Sequence, residues 1–129
     1  MHAPISEAVE RVASIVVDAG LKVHRALGPG LLETVYEQCL VHELTKRGVP
    51  TKRQVNQPIF YDGIRIENAL RIDLVVDGSV VVETKAVETV LPVHKSQLLT
   101  YLKLSGCRLG FLMNFNVPLF KDGIMRLVA

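Results

Sequence analysis

Three charged residues, Asp73, Glu83 and Lys85, stand inside the otherwise apolar stretch RIDLVVDGSVVVETKA, Arg71 to Ala86. Side chains of a strand alternate between faces, so Glu83 and Lys85 share one face and Thr84 takes the other. Asp77-Gly78 reads as a hairpin turn. Asp73 lies five residues before Gly78 and Glu83 five after it, so antiparallel pairing makes the two carboxylates neighbours at the open end of the hairpin. Two ionised carboxylates in a buried sheet repel one another and lose hydration, which costs several kcal/mol. A divalent cation turns that cost into binding. Magnesium, or manganese in its place, is held by one or two carboxylates together with waters and substrate phosphate, the donor set that Asp73 and Glu83 offer. Lys85 beside them is a point charge suited to a phosphate oxygen or to a water losing its proton. The plainer alternative is a lysine–carboxylate pair, or charges reaching solvent from an edge strand.

The elements that must position these residues follow from spacing. From Ile5 to Ala26 the residues Val9, Val12, Ala13, Val16, Val17, Ala19 and Val23 recur at threes and fours, the period of an amphipathic helix, with Ser6 as its start. Gly28-Pro29-Gly30 ends it, and LLETVYEQCLVHELTKRG resumes helical spacing up to Gly48. Beyond VPTKRQ, the segment VNQPIFYDGIRIENALRIDLVVDGSVVVETKAV is rich in β-branched residues. Asp62-Gly63 and Asp77-Gly78 punctuate it, which predicts three strands joined by two hairpin turns. Pro92 opens a third helix, PVHKSQLLTYLKLSG, closed by Gly106, and RLGFLMNFN follows as a buried strand. In the tail VPLFKDGIMRLVA, Lys121-Asp122-Gly123 reads as a turn and the last residues fit either a strand or an apolar cap. The order predicts an α/β fold with a mixed central sheet, helices on its faces, and central strands covered on both sides.

Composition narrows the class without choosing the chemistry. At 129 residues, 49% hydrophobic and 22% charged, the chain reads as a single globular domain, 1–129, and not as a disordered, collagen-like or disulfide-stapled protein. No apolar run is long enough to span a bilayer and no secretory leader is present, so the expectation is a cytoplasmic protein with no membrane partner. Cys39 and Cys107 lack metal-ligand spacing and read as core thiols. A formal charge of +2 permits a nucleic-acid partner without demanding one. Lys46, Arg47, Lys52 and Arg53 flank the turn at GVPT and could contact phosphates or simply form a solvated face.

Asp73 followed ten residues on by Glu-x-Lys, between a helical N-terminal region and a helix carrying Gln97 and Tyr101, resembles the PD-(D/E)XK nuclease superfamily. The resemblance implies a restriction-endonuclease-like fold, Asp73 and Glu83 as metal ligands, and Lys85 positioning or activating the attacking water. Ile72 stands where a proline is common. Gln97 and Tyr101 lie one helical turn apart on a face shared with His94, and this Q-x-x-x-Y resembles a motif of RecB-like exonucleases that supports the active site. It implies end-dependent cutting of DNA; the alternative is a polar edge on a helix whose Leu98, Leu99 and Leu102 make the core.

Gly30, Glu33 and Tyr36 in GPGLLETVYEQCL form a G-x-x-E-x-x-Y, and the chain resembles the bacterial and archaeal GxxExxY protein family from VHRALGPGLLE to NFNVPLFKDGIMRLV. This implies that Glu33 is a further acidic metal ligand, direct or through water. A glutamate in the first turn of a helix is equally favoured by the helix dipole without doing any chemistry. His24 is the rival for that place, because RecB-like enzymes often carry an upstream histidine; magnesium prefers oxygen, which puts Glu33 ahead.

The expectation is a magnesium- or manganese-dependent nuclease acting on nucleic acid, DNA foremost. The alternatives are a binding module that keeps the fold without turnover, and a metal that only holds the sheet together. So short a chain leaves little room for a separate recognition domain, which implies specificity from a homodimer, a partner protein or nucleic-acid shape.

Overall fold

The computed structural model describes residues 3–129. Ser6 caps the first helix, its hydroxyl accepting from the Val9 N–H at 3.2 Å, and α1 runs Glu7–Leu27. Gly28 stops it at φ 68, a left-handed conformation that glycine adopts without the steric cost a Cβ brings. After the Gly28–Gly30 turn, α2 spans Glu33–Lys46. Both helices lay their apolar stripes, including Val16, Ala19 and Val23 of α1 and Tyr36, Leu40 and Leu44 of α2, on one core layer.

The strands are β1 (Thr51–Tyr61), β2 (Ile64–Val76), β3 (Val80–Lys85), β4 (Leu109–Asn114) and β5 (Ile124–Val128), with α3 (Pro92–Ser105) between β3 and β4. They form one sheet in the order β1-β2-β3-β4-β5. Only β3 and β4 are parallel; every other pair is antiparallel. This is the α/β mixed sheet flanked by helices that the sequence predicts. The tail resolves into a 3-10 turn, Phe120–Asp122, and the edge strand β5.

The sheet separates two core layers. Val80 and Val82 of β3 face α1 and α2, whereas Val81 faces Leu98 and Leu102 of α3. In β4 both faces are covered and every residue is buried. Gly110 lets α3 settle on the sheet, since a Cβ there would meet Leu98 and Leu102 at 3.1 Å.

Two features depart from the sequence expectation. β1 begins at Thr51, inside the VPTKRQ segment. Coverage of both faces also fails along the outer halves of β1 and β2: β2 is 13 residues long and β3 only six, so the hairpin outruns its support. Phe60 and Tyr61 at its tip are 69% exposed.

Candidate active site

The paired register of β2 and β3 runs Val76↔Val80, Val75↔Val81, Leu74↔Val82 and then stops. One step further lie Asp73 and Glu83, and there side chains replace the ladder. The Asp73 N–H donates to Glu83 Oε1 at 3.1 Å, while Asp73 Oδ2 accepts from the Thr84 N–H at 3.0 Å and from Thr84 Oγ1 at 3.1 Å. Each carboxylate therefore satisfies a backbone donor of the opposite strand.

The alternation of faces slips at the same residue. Leu74 and Val76 pack with α1 and α2, but Ile72, of the same parity, packs with α3. On the other side of β2 the register holds Arg53↔Leu74 and Val55↔Ile72 and omits Gln54, whose φ is 54. A left-handed glutamine inside a strand is strained, and such strain persists only where the surroundings enforce it. Here Gln54 Nε2 donates to Glu37 Oε1 at 2.7 Å, and Arg53 Nε lies 2.7 Å from the same oxygen. Glu37 is buried in α2, so this node bolts α2 to the strand that faces Asp73.

The electrostatics follow from burial. Glu83 is 5% exposed, and loss of hydration, then the charge of Asp73, pushes its pKa up to about 8 against the pull of Lys85. Glu33, half-buried at the start of α2, is raised by burial, with Lys85 and His94 pulling down and Asp73 and Glu37 pushing up. Tyr101 is raised by burial and then by the charges of Glu83 and Asp73, with Gln97 opposing.

Those mutual influences locate the sequence-selected residues. Asp73 and Glu83 touch through their backbone bonds; Lys85, Glu33 and Tyr101 stand within electrostatic reach of the pair, and Gln97 reaches it through Tyr101. The setting is the carboxyl end of β3, with Glu33 at the start of α2 and Tyr101 on α3. His24 is elsewhere: its Nε2 lies 2.7 Å from the Val117 carbonyl, and its ring packs against Phe115 and Phe120. The basic cluster is largely engaged, with Lys46 on Glu43, Arg47 on Asp18 and Arg53 on Glu37. Both cysteines are free thiols.

Several residues that shape the site were not among those the sequence assigned a role there. Thr84, assigned to the opposite face by simple alternation, holds Asp73 through its backbone and hydroxyl. His94 closes the start of α3 by accepting from the Leu91 N–H at 3.0 Å, and it acts on Glu33. Asn114, buried at the end of β4, pins the chain just past Lys85 by accepting from the Val87 N–H at 3.1 Å and donating to the Val87 carbonyl at 2.9 Å. Its only sequence signal was a polar residue ending an apolar run.

The donor set suits a hard divalent cation. The strand bonds use Asp73 Oδ2 and Glu83 Oε1, which leaves Asp73 Oδ1 and Glu83 Oε2 without a backbone or hydroxyl partner. Among the described residues no three His, Cys, Asp or Glu side chains converge on a metal-sized centre, so Glu33 does not close a cage with the pair. Two carboxylates with room for water match magnesium better than zinc, which takes nitrogen and sulfur ligands in closed tetrahedra.

No curated protein and no solved structure matches the chain at a significant level. The family model of the PD-(D/E)XK nuclease superfamily matches residues 10–127, a span from α1 to β5 that contains the acidic pair, the Glu-x-Lys strand and the helix that follows it. The chain belongs to the PD-(D/E)XK nuclease superfamily.

Proposed function

We propose that the protein is a metal-dependent nuclease that hydrolyses phosphodiester bonds at the Asp73–Glu83 pair, with DNA as the substrate. One observation carries the reading: two carboxylates meet at a break in the sheet, each with an oxygen that the strand bonds leave unused. The strand bonds use one oxygen of each carboxylate, and the second carboxylate so close by is a cost that a cation would turn into binding.

Asp73 and Glu83 would hold magnesium or manganese, which supplies a more acidic bound water and offsets charge in the transition state. The chain's own residues do the rest. Lys85 shares the face of Glu83 and places its ammonium where it orients the attacking water and the phosphate oxygen it approaches. Glu33 acts from across the site through water, accepting a hydrogen bond from the nucleophile's hydration and not from a direct ligand position. Tyr101, one helical turn from Gln97, stands on the α3 side. The G-x-x-E-x-x-Y and Q-x-x-x-Y arrangements support placement with GxxExxY and RecB-like proteins and a preference for DNA ends. With the basic cluster paired to carboxylates, a second copy or a partner protein supplies the wider substrate grip.

Cleavage of end-labelled linear and circular DNA, single- and double-stranded, with magnesium or manganese, tests the reading beside Lys85→Ala and an EDTA control. Cleavage that needs both metal and Lys85 supports it, and preference for linear substrate supports end dependence. Manganese binding lost in Asp73→Ala, with no cleavage of any substrate, would replace it with a binding module.

A further inference from the structure

The tyrosine of G-x-x-E-x-x-Y has a defined set of contacts. Tyr36 is fully buried in α2, yet its hydroxyl reaches back to the turn before its own helix, donating to the Gly28 carbonyl at 2.6 Å and accepting from the Leu31 N–H at 3.1 Å. The two bonds close the Gly28–Leu31 turn on itself, and Leu32 and Glu33 leave that turn directly. α2 has no side-chain cap at Leu32, so the tyrosine does from the inside what a cap does elsewhere.

The ring reaches the other half of the site. It stacks on Phe115 with centroids 4.5 Å apart and planes 8° from parallel. The Phe115 N–H donates to the Lys85 carbonyl at 2.9 Å. An unbroken path therefore runs from the Lys85 backbone through Phe115 and Tyr36 to the turn that launches Glu33.

We infer that Tyr36 is a positioning residue that sets Glu33 in register with Lys85, its hydroxyl fixing the turn and its ring fixing the distance to the end of β3. The catalytic consequence rests on the nuclease reading; the placement does not. Phenylalanine would serve the core alone without needing a partner for a buried hydroxyl; the tyrosine instead places its hydroxyl on the two ends of the turn.

A double-mutant cycle of Tyr36→Phe and Glu33→Gln in the full chain tests it, with manganese and a single-stranded oligonucleotide as probes. Tyr36→Phe is expected to lower kcat about ten- to a hundredfold with KM within about threefold, as misplacement of a supporting group does. The double variant is expected to be no slower than Glu33→Gln alone. Multiplicative losses would mean that Tyr36 acts independently of Glu33 and would overturn the inference.

Amide relaxation in EDTA judges the placement without any cleavage. Tyr36→Phe is expected to bring microsecond-to-millisecond exchange to Leu31, Leu32 and Glu33 while Leu40 and Leu44 keep wild-type values. Unchanged amides at residues 31–33 would sink the inference. A wild-type protein that neither binds manganese nor cuts would remove the nuclease reading and leave this measurement to decide. Should Tyr36→Phe fail to fold, Phe115→Leu leaves both hydroxyl partners in place, removes the stack together with the ring contacts to His24 and Phe120, and is expected to loosen the same three amides while those near Val117 report the loss at His24.

Discussion

Asp73 and Glu83 each tie down the other's strand: the Asp73 N–H donates to Glu83 Oε1 while Asp73 Oδ2 accepts from the Thr84 N–H, one residue past Glu83. The two side chains thus do the work of the missing rungs of the β2–β3 ladder and hold their remaining oxygens in fixed relation. A pair tied to the backbone in this way is preorganised, as a cation site would require.

The pair makes stability depend on pH. Burial and Asp73 raise Glu83 in the folded protein to about 8 from an ordinary 4.5. A carboxyl with a raised folded pKa stabilises the fold fully below its unfolded pKa and loses that contribution as pH rises through the folded one. In EDTA the unfolding free energy is expected to fall by of order 4 kcal/mol between pH 4.5 and pH 8.5 from this group. Glu83→Gln should flatten the profile; denaturant melts across that range check it, and a profile unchanged by Glu83→Gln would rule the linkage out.

Cation binding should displace that proton. At pH 7 most metal-free molecules carry a protonated Glu83, so manganese binding is expected to release close to one proton and to tighten about tenfold per pH unit up to about pH 8. Calorimetry in buffers of different ionisation enthalpy counts the proton. Binding without proton release would place the ion away from Glu83.

Lys85 and Asp73 should separate chemistry from binding. Lys85→Ala removes no carboxylate, so manganese affinity is expected to stay within a few-fold while cleavage falls about 100- to 10,000-fold. Asp73→Ala should abolish manganese binding. It also strands the Thr84 N–H and hydroxyl, costing about 1–3 kcal/mol in stability. Equal loss of affinity in both variants would show that Lys85 shapes the metal site and not the reaction.

The chain's periodicities announced most of the architecture, for identifiable reasons. Threes and fours in α1, two Asp-Gly turns and Pro92 at the start of α3 are local signals, and local signals survive into the fold. The pairing of Asp73 with Glu83 was legible because a hairpin turn fixes its own register. The slip at Asp73 was not, because it coincides with a left-handed Gln54 on β1 whose partner, Glu37, lies 17 positions earlier in the chain. Nor could spacing reveal that Thr84, Asn114 and Tyr36 are tied to the backbone around the site, since each looks like ordinary core from its neighbours. The basic cluster looked free for the same reason: its carboxylate partners, Asp18, Glu37 and Glu43, come from the two N-terminal helices.

Glu33 and His24, rivals for one role on sequence grounds, should part in experiment. His24 is buried against Phe115 and Phe120 and holds the Val117 carbonyl, so His24→Gln is expected to cost about 1–3 kcal/mol of stability through lost packing and a weakened hydrogen bond. Cleavage per folded molecule should stay within about twofold, because the ring makes no hydrogen bond to the acidic pair and only packs beside Phe115. Glu33→Gln should do the reverse. Burial already disfavours its charge, so neutralising it should leave the melting temperature unchanged or slightly higher, while cleavage drops about ten- to a hundredfold. Thermal melts and single-turnover rates on the same two preparations decide between them. A His24 variant that melts normally but cannot cut would return the role to the histidine and require α1 to move toward the sheet in the working state.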